Sequence, residues 1–189
     1  MKNIVYFDLE TRLSAAQVGG WHEAGKMGIS VAVTYSTRDN AYHIYTQDQV
    51  EQLIEELRTA DLVVGYNHIG FDYQVIQPFT FWTLADVSNN LDICIDLTNR
   101  IGHRLKLDSV ASVTLGNSKT AEGLDALKWW AEYEKTGDPQ KMLDIARYCC
   151  FDVKVTMEVH KFGALNGYVN YVDKKGETVR VDVDWRLDW

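Results

Sequence analysis

Polar and apolar positions along the 189-residue chain change period several times, and each change marks an element. Residues 3–9 form an almost unbroken apolar run of strand length. Residues 29–36 (ISVAVTYS) alternate apolar with small or polar side chains, the period-2 pattern of a strand. The turn Arg38–Asn40 leads from them to a third strand at 42–45, so a hairpin is predicted. From Gln47 to Thr59 the apolar residues Val50, Leu53, Ile54 and Leu57 fall at i, i+3, i+4 and i+7, one stripe of an amphipathic helix. Further strands are predicted at 61–66 and 91–97, with a short helix at 71–76 between them that ends at Pro78. Residues 11–27 carry no clear period and read as a long loop holding Gly19, Gly20, Trp21 and His22.

The second half is mostly helical, with helices predicted at 107–115, 121–135 and 139–165. Pro139 suits the first turn of the last one, and Gly163 and Gly167 mark its end. The period then returns to two. Val179, Val181, Val183 and Trp185 share one face, and Arg180, Asp182 and Asp184 the other, giving a β-hairpin with one apolar side. This order predicts a mixed α/β layer fold. Its sheet has five strands, the first three forming an antiparallel meander, with flanking helices and the hairpin appended at the C-terminus.

Composition narrows the class. Apolar residues make up 46% and charged residues 24%, as in ordinary globular proteins, and 2 prolines exclude a Pro-rich linker. The length suits one domain with a small appendage. Cys94, Cys149 and Cys150 form neither a disulfide framework nor a zinc-ligand spacing. With no signal-peptide pattern and no apolar run near the ~18 residues of a membrane span, a reduced, cytoplasmic protein is expected. The net charge of −8 argues against gripping nucleic acid by bulk positive charge. That charge is uneven. Residues 1–95 hold 5 basic and 12 acidic side chains, whereas Asn99–Lys119 holds Arg100, Arg104, Lys106 and Lys119 against Asp108 alone. The latter stretch is either a landing site for a nucleic-acid backbone or a solvated connector.

Three acidic elements carry candidate chemistry. In FDLET (7–11), Asp8 and Glu10 are two residues apart at a strand end, so both carboxylates face one side. In YNHIGFD (66–72), Asp72 follows a strand and opens a helix, where the helix dipole alone would favour an acid. In YCCFD (148–152), Tyr148 and Asp152 share one face of an otherwise apolar helix. An acid there needs a partner, water or a metal, and Arg147 and Lys154 are the ion-pair candidates.

Together, and in this order, FDxET, NxxxFD and YxxxD resemble the motifs of the DEDD 3′–5′ exonucleases, which have the DnaQ-like form of the ribonuclease H-like fold. Tyr148 matches the tyrosine (DEDDy) branch; the position where the other branch has histidine is Arg147. The strings are also similar to the proofreading domains of family-B DNA polymerases. The resemblance covers roughly residues 3–165. It implies an exonuclease domain over 1–166, with 167–189 as a hairpin extension.

The resemblance also implies a reaction. Two divalent cations, Mg²⁺ or Mn²⁺, would sit among Asp8, Glu10, Asp72 and Asp152. Asp8 would touch both, Glu10 and Asp152 would complete the one carrying the attacking water, and Asp72 would serve the other, partly through water. Tyr148 would orient that water, and 5′-mononucleotides would leave from a 3′ end. The physics agrees with a cation-filled site, since two like charges ~4 Å apart repel by ~4 kcal/mol at an effective dielectric of ~20. Hard carboxylate oxygens select hard cations.

Other residues are less determined by the sequence. By the same resemblance Leu9 and Thr11 would line the terminal-nucleotide pocket; otherwise they are strand packing. Asn67 contacts the substrate strand or caps its turn. Lys119 meets a phosphate or is a solvated lysine. Trp21 is a candidate stacking platform for a base. Of Trp129 and Trp130, neighbours ~100° apart on a helix, one is expected to be buried and the other partly exposed. His68 and His103 are expected on the surface and not as ligands. The hairpin's apolar face is either packed on the body or used for a protein partner or a second copy. Nucleic acid, favoured as single-stranded DNA, is the expected partner, with an exoribonuclease of the ribonuclease D-like kind and a non-catalytic nuclease-like binding module as alternatives. The chain is too short to hold a polymerase as well, so proofreading in cis is not expected.

Overall fold

The computed structural model describes residues 2–116 and 123–186. Strand β1 (Ile4–Thr11) is the centre of a five-stranded sheet. It pairs antiparallel with β2 (Ile29–Ser36), which pairs antiparallel with β3 (Ala41–Tyr45). On its other side β1 pairs parallel with β4 (Leu62–Gly65), which pairs parallel with β5 (Asn90–Asp92). The order β3-β2-β1-β4-β5 contains the expected meander.

Alternation along β1 builds two cores. Val5, Phe7 and Leu9 pack against α2 (Val50–Thr59) and α3 (Asp72–Ile76). Ile4 and Tyr6 pack on the opposite face with α5 (Ile93–Ile101), α6 (Leu107–Thr114), α7 (Gly123–Thr136) and α8 (Pro139–Asn166). Asp8 and Glu10 continue the Ile4–Tyr6 face, so the acids project on the side where α8 crosses β1 and β2. The register shifts between Glu10 and Thr11, a bulge at which the Ser30 hydroxyl donates to the Glu10 carbonyl at 3.0 Å. Ser30 is the extra residue, so it is β2 that bends opposite the acids.

Three expectations are corrected. The strand predicted at 91–97 stops at Asp92, and α5 begins at Ile93. Asp92 caps that helix, its Oδ1 accepting from the Ile95 N–H at 3.2 Å. The loop predicted at 11–27 holds the short helix α1 (Ala15–Val18), begun by a Ser14–Gln17 capping box, and a 3₁₀ segment at Trp21–Lys26. Its backbone turns at Gly19 (φ 98°) and Gly20 (φ 131°). His68, expected on the surface, is fully buried. It folds back over Gly65, where a Cβ would meet the ring at 2.7 Å, and its Nε2 lies 3.1 Å from Asn90 Oδ1. His103 is exposed, Trp130 is buried and Trp129 is half-buried, as anticipated.

A short helix α4 (Leu84–Val87) packs against α2. At the C-terminus β6 (Tyr168–Val172) and β7 (Thr178–Asp182) form the hairpin. Its Val169, Tyr171 and Val181, together with Val183 and Trp185 beyond it, join the core that holds Ile4 and Tyr6. The Trp185 indole N–H donates to Asp96 at 2.8 Å, and Thr114 exchanges hydrogen bonds with Asn170 at 2.9 Å. The hairpin's apolar face is thus packed on the body. Among the described residues no helix is long and apolar enough to cross a membrane.

Candidate functional site

Carboxylate oxygens of Asp8, Glu10 and Asp152 all lie within 4.8 Å of one another. Asp8 and Glu10 arrive from β1 and Asp152 from α8. Of the cations considered for Asp152, Arg147 lies 3.9 Å from Asp144 and Lys154 3.8 Å from Glu158. Tyr148, one turn before Asp152, stands beside it, close enough for hydroxyl and carboxylate to interact. Burial, followed by the charges of Asp152 and Glu10, pushes the Tyr148 hydroxyl far above its usual range, so it remains a protonated phenol.

Asp72 reaches the same cleft by another route. The last β1–β4 pair is Tyr6 with Val64, so beyond it β1 has no parallel neighbour. The Leu9 N–H instead donates to Asp72 Oδ1 at 3.1 Å. Asp72 is 4% exposed, and burial pushes its carboxyl up to about 8, partly offset by that N–H. Asp8 is also held well above the carboxylate range, by burial first and then by Asp72, Asp152 and Glu10; the Cys149 thiol acts the other way. Asp72 therefore stands beside Asp8 but outside the tight group of three.

The donor set fits a hard divalent cation. Three carboxylates at this spacing supply only oxygen, and like charges gathered so closely repel one another until a cation relieves them. These three residues could hold one ion, and Asp72 is the carboxylate nearest to hand for another.

The cleft, about 480 Å³, is lined by Asp8, Leu9, Glu10, Trp21, Asn67, Asp72 and neighbouring residues. Leu9 turns its side chain into the α2–α3 core and contributes mainly its N–H. Asn67 has φ 65°, a left-handed turn that asparagine tolerates. Trp21 is 72% exposed and meets Phe71 edge-on, the ring centroids 5.6 Å apart. Thr11 lines an adjoining apolar cavity of about 400 Å³, shared by Glu10, Trp21, Met27 and Phe71. Lys119 lies outside the described residues.

Two supporting residues were not singled out from the sequence. Asp92 accepts from the N–H groups of Asn67 (2.8 Å) and Ile69 (3.0 Å), fixing the turn that delivers Asp72. The signal was an acid in front of a helical stretch, hidden because that stretch also reads as a strand. Cys149 donates its thiol proton to Asp8. It is visible in the sequence only as one more apolar position of α8.

A search of curated proteins gives no match. Among solved structures the chain is similar to the family B DNA polymerase from the hyperthermophilic archaeon Pyrobaculum calidifontis, with a TM-score of 0.61 and 15% identity. The alignment covers 86% of this chain and 24% of the polymerase, so the chain spans about a quarter of that protein, and the likeness is one of fold. A family model described as the RNase H superfamily matches residues 5–162. With the match extending over most of its length, the chain belongs to the RNase H superfamily.

Proposed function

We propose that this chain is a metal-dependent 3′–5′ exonuclease that releases 5′-mononucleotides from the 3′ end of single-stranded or frayed DNA. The observation that carries the reading is the meeting of Asp8, Glu10 and Asp152 within 4.8 Å in an RNase H-like fold, with Tyr148 beside Asp152. Asp8, Glu10 and Asp152 would hold one Mg²⁺ or Mn²⁺, with Asp72 as the added ligand for a second. Bound there, such ions supply Lewis-acid stabilisation of the phosphoryl oxygens and a more acidic water.

The protein's own groups supply position. Tyr148, a protonated phenol, orients the attacking water and does not act as its base. Trp21 offers an exposed ring face to a base, and Leu9, Thr11 and Asn67 wall the terminal nucleotide. Lys119 would meet a phosphate of the strand.

Purified protein with Mn²⁺ should be assayed on labelled single-stranded, duplex and mismatched DNA and on RNA. Mononucleotide release from single-stranded DNA that chelator abolishes is the expected result. Release from RNA alone moves the reading to an exoribonuclease, and no release from any substrate refutes it.

A further inference from the structure

We propose that Arg104 grips a backbone phosphodiester of the bound strand, one that lies upstream of the linkage held at the acids. This rests on the nuclease reading and deepens it by naming the residue and the phosphate.

Arg104 lies in the connection between α5 and α6, outside the three acidic motifs. The backbone beside it is pinned. The Leu105 carbonyl accepts from the Tyr66 hydroxyl at 3.0 Å and from the Cys94 thiol at 3.9 Å, and the Leu105 side chain is buried. The Arg104 residue itself is exposed. Its guanidinium lies close enough to act on both Tyr66 and Cys94. It lines the cleft that holds Asp8, Glu10 and Asp72, and it is the only cation among the described lining residues.

Nearby arginines have structural work. Arg100 pairs with Asp96 at 2.7 Å, and Arg12 covers the Trp130 ring at 4.6 Å. Arg104 makes no ion pair among the described residues, although three carboxylates share its cleft. Its planar fork matches two phosphate oxygens, a geometry a lysine does not reproduce.

Chemistry decides which phosphate. A strand engaged by its 3′ end has no phosphate beyond its terminal linkage, which sits at the acids. Arg104 lies beyond ion-pair reach of those acids, so the phosphate it meets must be on the 5′ side.

The test is binding of a 5′-fluorescein-labelled DNA dodecamer by fluorescence anisotropy. It is run with Ca²⁺ in place of the activating ion, over a range of salt. Neutral methylphosphonates replace the four linkages nearest the 3′ end one at a time. Arg104→Ala should weaken binding about tenfold and reduce the slope of log K against log salt by about 0.7, the value for one phosphate contact on a single strand. One upstream methylphosphonate should weaken wild-type binding by a similar factor yet change Arg104→Ala less than twofold. Arg104→Lys should keep the salt slope and recover only part of the affinity. An unchanged slope in Arg104→Ala, losses that simply multiply, or coupling to the terminal linkage alone overturns the proposal. A wild type that binds with this coupling but never cleaves keeps the Arg104 contact and refutes the nuclease reading. A wild type that cleaves while Arg104→Ala binds normally does the reverse. A wild type with no salt-dependent binding overturns both.

Discussion

The Cys149 thiol on α8 donates to the Asp8 carboxylate at 3.4 Å and lies 3.3 Å from the Asp8 carbonyl, joining the last long helix to the central strand at the acids. Burial and then the Asp8 charge push the thiol far above its ordinary range, so it stays a donor. Cys149→Ala removes that donor and leaves a small void. It should destabilise the protein by about 1–2 kcal/mol in urea unfolding, with Cys149→Ser, which retains a hydroxyl donor, recovering part of the loss. Equal stability of all three proteins would show that the contact contributes nothing.

The acids repel one another until a cation joins them. Mn²⁺ at about a hundred times its dissociation constant should stabilise the wild type by about 3 kcal/mol, or roughly 5–10 °C in melting temperature. Asp8→Asn should melt at or above the wild-type temperature in chelator and gain little from Mn²⁺. Equal Mn²⁺ shifts in the two proteins, read by thermal melting, would argue against Asp8 as a ligand.

Asp72 gives the chelated protein a specific pH response. Its carboxyl is raised from an ordinary 3.8 to about 8, so between those values the folded state keeps a proton that the unfolded chain releases. Stability from this group is therefore lost as pH rises through that window. His160 has the opposite sign: burial lowers it from 6.5 to about 4, and stability falls as pH drops through that range. The diagnostic is the difference between proteins. Asp72→Asn should gain stability relative to wild type steadily from pH 4 to pH 8, in part because it also relieves Asp8. A constant difference across urea titrations at several pH values would contradict this.

The hairpin depends on a missing methyl group. A Cβ on Gly163 of α8 would lie 2.3 Å from the Trp185 ring, which is buried beside His160. Alanine is the better helix former by about 1 kcal/mol, yet Gly163→Ala should destabilise by about 2–4 kcal/mol because Trp185 must leave its seat. Tryptophan fluorescence should shift red with the loss. A more stable Gly163→Ala protein with unchanged emission would mean that Trp185 does not occupy this site.

Much of this arrangement is legible in residue spacing. Period two puts Asp8 and Glu10 on one face, and the i, i+4 step puts Tyr148 and Asp152 on one face of α8. Neither rule says that the two faces meet; that follows from Ile4 and Tyr6 preceding the acids on the face that α8 covers. The misread segment at 91–97 shows the limit. Its Leu-Asp-Ile-Cys-Ile-Asp-Leu order alternates well enough for a strand, and only the cap formed by Asp92 decides for a helix. The same carboxylate holds the Asn67 turn, a role that depends on which backbone N–H groups the fold leaves without partners. His68 is buried because Gly65 has no side chain and Asn90 lies on a neighbouring strand, and both are facts of tertiary packing.

The most direct test of 3′–5′ exonuclease activity is the product ladder from a 5′-labelled single-stranded DNA incubated with the full chain and Mn²⁺. The labelled strand should shorten one nucleotide at a time from its 3′ end, 5′-mononucleotides should accumulate, and chelator should stop both. A label released at once as a mononucleotide, a pattern of internal cuts, or an intact strand would contradict it.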